Sequence, residues 1–266
     1  DQSRAVQRAI DETARMRAPL VLAPGVYRVG NLKLPAGAQL VGTRGASRLE
    51  LSDGSSLISA SAADTLGLNG LVLDGGRRQL PERRGLVQLE SCRAVRIEDC
   101  EIRGSGRNGI VCVAVDGEII GTSILDSADV AIHALDSRGL TLARNRIDGA
   151  GNNGILVWRS EAGEDGTIVS ANRIRKIRNA AGGTGEYGNG INVFRAGSVV
   201  VSNNRVADCA YTAVRGNAAS NIQIIANSCE RLGEVAIYSE FGFQGAIIAN
   251  NLIDTAGTGI SVTNFN

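Results

Sequence analysis

One short pattern recurs five times between residues 140 and 262, and it leaves this chain few ways to fold. Each copy reads aliphatic-x-aliphatic, then Asn-x-aliphatic, a Gly-rich turn, and a closing strand of small and aliphatic residues. LTLARNRIDGAGNNGILV (140–157) is the first copy. TIVSANRI…GNGINV, VVVSNNRV…TAVRG, IQIIANSC…VAIYS and AIIANNLI…TGISV follow it. Asn145, Asn172, Asn204, Asn227 and Asn251 hold the same place in each, at spacings of 27, 32, 23 and 24 residues. Two degenerate copies precede them, with Cys100 and Ser123 expected in the Asn slot. A period near 23 residues that tolerates insertions is the mark of a solenoid. The runs are short, β-branched and split by Gly and Asn, so each repeat is a coil of strands rather than a helix pair. The fold class that follows is all-β, a single-stranded parallel β-helix.

Composition agrees. Aromatics make up 3% of the chain and glycine contributes 34 residues, which suits a narrow interior with many tight turns. Net charge is +1, so no global field favours nucleic acid or an acidic membrane. No apolar run is long enough to span a bilayer. The five cysteines lack metal-ligand spacing and read as buried free thiols, with Cys100, Cys112 and Cys229 on inward positions.

Taken in order, residues 1–18 are expected to form a helical cap, with Val6, Ala9, Ile10 and Thr13 at helical spacing and Ser3 or Asp1 as N-cap. Residues 19–94 read as irregular first coils, with a basic bulge at 77–84, and 95–266 as regular ones, all within one domain. Nothing resembling a terminal cap follows GISVTNF, so further coils or a partner are expected on that end. Strand alternation sends Ile155, Ile191, Val214 and Ile237 inward, with Val157, Val193, Gly216 and Ser239 two residues on. The Asn slot is also inward, where side-chain amides can stack coil upon coil.

Function is left to the outward residues near two enlarged loops, 159–166 and 178–189. One outward column reads Gln88, Val111, His133, Leu156, Asn192, Arg215, Tyr238, Ser261; its neighbour reads Glu90, Val113, Leu135, Trp158, Phe194, Asn217, Glu240, Thr263. This array predicts a polysaccharide groove. Trp158 and Phe194 would stack on sugars, and Arg159, Arg195 and Arg215 would hold carboxylates or sulfates. For β-elimination or epimerisation of a uronate, Arg215 or Tyr238 is the candidate base or acid. Asn192, Asn217 and Arg195 would neutralise the carboxylate, with Glu240 in support. Glu186 and Tyr187 on the 178–189 loop complete the substrate-binding set. A glycoside hydrolase would instead pair Glu240 with Glu186. A non-catalytic carbohydrate-binding or envelope scaffold would use the same face without chemistry, with Arg215–Glu240 and Arg195–Glu186 as surface ion pairs. His133 reads as incidental. Asp136, Glu161, Glu164 and Asp165 lack calcium-ligand spacing and read as a solvated acidic loop. No metal or cofactor is called for.

The opening helix followed by LVLAPGVYRV resembles the pectin-lyase-like right-handed β-helix superfamily. VLAPGVYRVGNLKLPAGAQLVG, GLVLDGG, YGNGINVFRAG, AVRGNAASNIQI and IYSEFGFQGAIIANN are similar, more narrowly, to twin-arginine-translocated repeat proteins of alphaproteobacteria. The resemblance runs along the whole chain and implies a right-handed coil and an exported, periplasmic or secreted protein whose leader is not in this sequence. That family carries no established activity, so the resemblance transfers no catalytic residue. The Asp cluster of pectate lyases and the Asp–Asp pair of polygalacturonases are not evident here.

Overall fold

The computed structural model describes residues 1–265 and is a parallel β-solenoid with one helix at its N-terminal end. Each coil contributes a strand to three parallel sheets in turn. The first sheet has ten strands, from Leu20–Leu22 to Ala246–Ala249. The second runs through Arg146–Ala150, Arg173–Ile177 and Arg205–Cys209, and the third through Asn108–Val113, Val130–Leu135 and Asn153–Glu164. The last two coils join second and third sheets in single long strands, Ser228–Glu240 and Leu252–Thr263.

The alternation read from sequence is the alternation observed. Ile155 pairs with Ile191, Ile191 with Val214, and Val214 with Ile237, all facing one contiguous aliphatic core. All five cysteines are buried and free, Cys92 and Cys209 included. Burial pushes the Cys100 thiol up to about 11 and the Cys112 thiol up to about 12, so these two remain uncharged filling.

The corners explain how a coil turns without a helix. The residue before each ladder asparagine (Arg144, Ala171, Asn203, Ala226, Asn250) adopts a left-handed φ of 55° to 57°. That conformation costs a residue with a Cβ about 1 kcal/mol or more, and the next side chain offsets it. Asn204 is typical. Its Oδ1 accepts from the backbone N–H and Nδ2 of Asn172 at 3.0 and 2.9 Å, and its Nδ2 donates to Val169 O and Asn227 Oδ1 at 2.9 Å. The slot in the coil before Asn145 belongs to Thr122, not Ser123. Thr122 N–H donates to Asn145 Oδ1, while Ser123 lies one position on, opposite Arg146. A hydroxyl fits there because Thr122 Oγ1 accepts from Cys100 N–H at 3.3 Å.

Two further expectations are corrected. Gln2, not Ser3 or Asp1, is the helix N-cap residue; Asp1 Oδ1 accepts from Ser3 N–H at 2.7 Å from just outside it, while the Gln2 and Ser3 side chains serve the strand edge below. Gln2 Oε1 accepts from Arg28 N–H and Ser3 Oγ from Gly30 N–H, both at 3.0 Å. Gln7 likewise exchanges two hydrogen bonds of 2.8 Å with the Lys33 backbone. The helix Ser3–Arg15 therefore buries Val6 and Ile10 and also satisfies open strand groups that would invite another chain. The coils before Val95 have short strands but pair in the same parallel register, as Gly25–Val29 does with Ser47–Leu51.

Asn204→Ala should lower the urea midpoint by an amount equivalent to about 1–3 kcal/mol for each buried group it orphans. Asn251→Ala, at the partly exposed last copy, should cost less because water replaces the lost partners. Equal shifts would show that the ladder is not what holds the corners.

Candidate functional site

The outward columns of the third sheet are in register as expected: His133, Leu156, Asn192, Arg215 and Tyr238 are successive partners, and so are Leu135, Trp158, Phe194, Asn217 and Glu240. They are not a solvated face, however. Leu156, Asn192 and Glu240 are 2%, 4% and 1% exposed. The 178–189 excursion folds back over the later coils, where Asn192 Nδ2 donates to Glu186 O at 3.2 Å and Arg215 Nη1 to Gly185 O at 2.5 Å.

Residues that the repeat pattern did not single out hold this loop in place. Asn152 Oδ1 accepts from Ala181 N–H at 2.8 Å, and Asn189 Nδ2 donates to Gly185 O at 2.9 Å. Tyr211 donates its hydroxyl to Gly183 O at 2.9 Å. The signal available in the sequence was the Asn doublet 152–153 and Asn189, each before a Gly-Ile strand. Gly185 is required where it stands: its φ is 144°, and a Cβ there would lie 1.8 Å from Arg215 Nη1.

Beneath the loop is a pocket of about 380 Å³ lined by Trp158, Gly185, Glu186, Asn192, Phe194, Arg215 and Asn217. Trp158 stands edge-on to Phe194 on one side and to His133 on the other, with ring centroids 5.6 Å apart in both pairs. His133 thus belongs to an aromatic row rather than being incidental. Burial pushes its imidazole down to about 4. Asn192 Oδ1 and Trp158 Nε1 are buried with no hydrogen-bond partner among the described residues.

Arg215 and Glu240 form a buried pair rather than a surface one. Arg215 Nε and Nη2 reach the same Glu240 oxygen at 2.6 and 2.5 Å, and Asn217 Nδ2 adds a bond of 2.9 Å to it. A guanidinium so engaged is a positioned cation, not the base proposed from sequence. Glu240 is equally committed, so it is not a free acid for hydrolysis. Tyr238 lies one coil further on, its ring centroid 5.3 Å from the Arg215 guanidinium and outside the pocket lining.

Three other expected residues turn elsewhere. Arg195, at a left-handed corner, donates to Ser160 O at 2.8 Å and lies 4.8 Å over the Phe194 ring, so the anticipated Arg195–Glu186 pair does not form. Arg159 folds inward toward Ser137 O at 3.4 Å and buried Asp165 at 4.0 Å. Tyr187 stays on the loop, where burial first and the neighbouring Glu186 carboxylate second raise its hydroxyl above the ordinary range. The 159–166 segment is largely strand, not a loose acidic loop: Asn153–Glu164 continues through it, and Asp136 accepts from Ser160 N–H at 2.8 Å.

Fold and site together define a parallel β-coil with an aromatic-walled, loop-covered pocket on one sheet. The family model described as "Right handed beta helix region" matches residues 83–186 and 153–266, and the chain belongs to that family. Among solved structures it is similar to the A-module of the mannuronan C-5 epimerase AlgE4 of Azotobacter vinelandii. That match has 18% identity and a TM-score of 0.68 and covers 98% of this chain and 93% of that one. The AlgE6 A-module of the same organism gives 17%, a TM-score of 0.70, and coverage of 100% and 94%. Pectate lyase Pel9A gives 10%, 0.62, and coverage of 91% and 72%. At such identities the likeness is one of fold. No curated protein matches the sequence.

Two outcomes follow from this geometry. Between pH 6.5 and about 4 an unfolded chain binds a proton at His133 that the folded one excludes, so stability is full above 6.5 and falls as pH drops through that window. His133→Phe should remove that part of the pH dependence of the thermal midpoint; an unaltered profile would place the effect elsewhere. Gly185→Ala should speed protease cleavage within 178–189 while leaving the coil's urea midpoint nearly unchanged. Unaltered cleavage would show that the Arg215 contact does not set the loop.

Proposed function

We propose that this face binds an acidic polysaccharide, with one sugar seated against the Trp158–Phe194 pair. The observation that carries the reading is the pocket's make-up: two aromatic rings, two carboxamides and a guanidinium converge on about 380 Å³. Aromatic faces take the apolar side of a sugar, and buried Asn192 Oδ1 is an acceptor with no protein partner, suited to a hydroxyl. Arg215 and Asn217 present donors to a carboxylate. The likeness in shape to modules named for a mannuronan epimerase and a pectate lyase supports a polysaccharide as ligand.

The chemistry these residues allow is removal of the C5 proton of a uronate. Glu186 is the one pocket-lining carboxylate, and it takes the proton. The electron pair passes onto the sugar carboxylate, held by Arg215 and Asn217. Either the C4–O bond then breaks and the leaving oxygen takes the proton back from Glu186, leaving an unsaturated sugar, or a proton from solvent returns to the opposite face of C5. The Arg215–Glu240 lock favours, as a second reading, a binding module without chemistry. The same lock argues against a Glu240–Glu186 hydrolase. The binding is placed outside the cytoplasm, as the resemblance to exported repeat proteins implies. No helix among the described residues is long and apolar enough to cross a membrane.

Polyuronates of defined composition test the reading in one titration. Trp158→Ala should weaken binding about tenfold, a loss of about 1.4 kcal/mol. Glu186→Gln should retain binding but abolish both the ultraviolet absorbance of an unsaturated product and deuterium exchange at C5. Binding without either signal in the native protein selects the module reading, and no binding to any polyuronate overturns the proposal.

A further inference from the structure

We propose that the second sheet carries a separate surface for a carboxylate-bearing glycan, built on a ladder of arginines. It does not rest on the pocket reading. Arg146, Arg173 and Arg205 are direct partners on three successive strands and all point outward and exposed. Neighbouring strands lie about 4.8 Å apart, so the three side chains span about 10 Å along the coil axis. Arg175 stands beside them in the next outward column, between Asp148 and Ala207.

The nearby carboxylates are already engaged. Asp148 takes Arg146 at 3.1 Å, Arg175 at 2.5 Å and Lys176 at 3.6 Å. Glu230 lies 2.8 Å from Arg231, which also holds Asp208 at 2.6 Å. Among the described residues, Arg173 and Arg205 form no ion pair. Like charges directly opposite on adjacent strands destabilise a sheet, so folding gives no reason for three in a row. The fourth coil breaks the ladder with Ser228, and Ala207 replaces a long side chain in the neighbouring column. These short residues leave a cleft of about 400 Å³ bordered by Arg146, Arg173, Arg175, Arg205, Ser228 and Glu230.

The chemistry of the cleft selects its ligand. Guanidinium forks match planar carboxylates, and their regular spacing suits a polymer with anions along its length. Ser228 offers a partner to a sugar hydroxyl. No aromatic side chain borders the cleft, which argues against single-stranded nucleic acid, whose bases need stacking platforms.

The test is binding of a polygalacturonate oligomer to the full chain across a salt series. It uses native protein, Arg173→Thr/Arg205→Thr, Trp158→Ala, and the triple variant. Binding that survives Trp158→Ala, weakens at least tenfold with a shallower salt dependence in Arg173→Thr/Arg205→Thr, and disappears in the triple variant supports the ladder. Complete loss in Trp158→Ala alone overturns it while leaving the pocket reading intact. Unchanged binding in the double variant overturns it as well. So does a double variant whose only loss is toward phosphatidylglycerol vesicles, since the surface would then serve phosphate headgroups. The urea midpoint is an independent readout. Relief of stacked charge should raise it in the double variant, and a lowered midpoint would assign the arginines a structural role instead.

Discussion

The structure depends on one hydrogen-bonded corner repeated from coil to coil. A left-handed residue turns the chain, and the asparagine after it joins the backbone behind to the amide ahead. Neither half works alone. The left-handed residue is strained, and a buried carboxamide without partners would be costly. Stacked in register, each corner supplies what its neighbour lacks, and stability accumulates through nearest neighbours as in other solenoids. The same corner accepts Thr122, whose hydroxyl takes the Cys100 N–H, so an amide is not required at every copy.

Fixed register turns a linear sequence into an array of columns, and the columns differ in what is laid over them. On the third sheet an inserted loop encloses aromatic, amide and guanidinium groups, converting an outward surface into a pocket. On the second sheet no insertion covers the arginines, and they stay in water. The two surfaces therefore suit different modes of contact: one grips a single sugar, and the other follows a line of charge.

The sequence was legible wherever period and alternation carried the information. The inward sets, the pairing of columns and the burial of the cysteines follow from a two-residue side-chain period on strands of known spacing. Ser123 was misplaced by one position because the slot is defined by an oxygen facing the ladder, and two adjacent hydroxyl residues make the alignment ambiguous. The N-cap was misassigned because Ser3 had a competing use on a strand that is distant in sequence. The arginine ladder follows from register alone, since Arg146, Arg173 and Arg205 each come directly after a ladder asparagine.

By itself, then, the sequence determined the coil and the rows of residues that face inward and outward. These are set by short-range periodicity that every repeat reports again. Only the tertiary structure decided which outward residues form a site. Whether Arg215 faces solvent or Glu240, whether Arg195 meets Glu186 or Ser160, and whether Asn192 lies open or under a roof depend on the path of a glycine-rich insertion. That path is fixed by a few contacts from Asn152, Asn189 and Tyr211, which share no period with the repeat. A loop held by such isolated contacts leaves only the asparagines before two Gly-Ile strands as a trace in the chain, yet it determines which charges are paired and which polar atoms remain for a ligand.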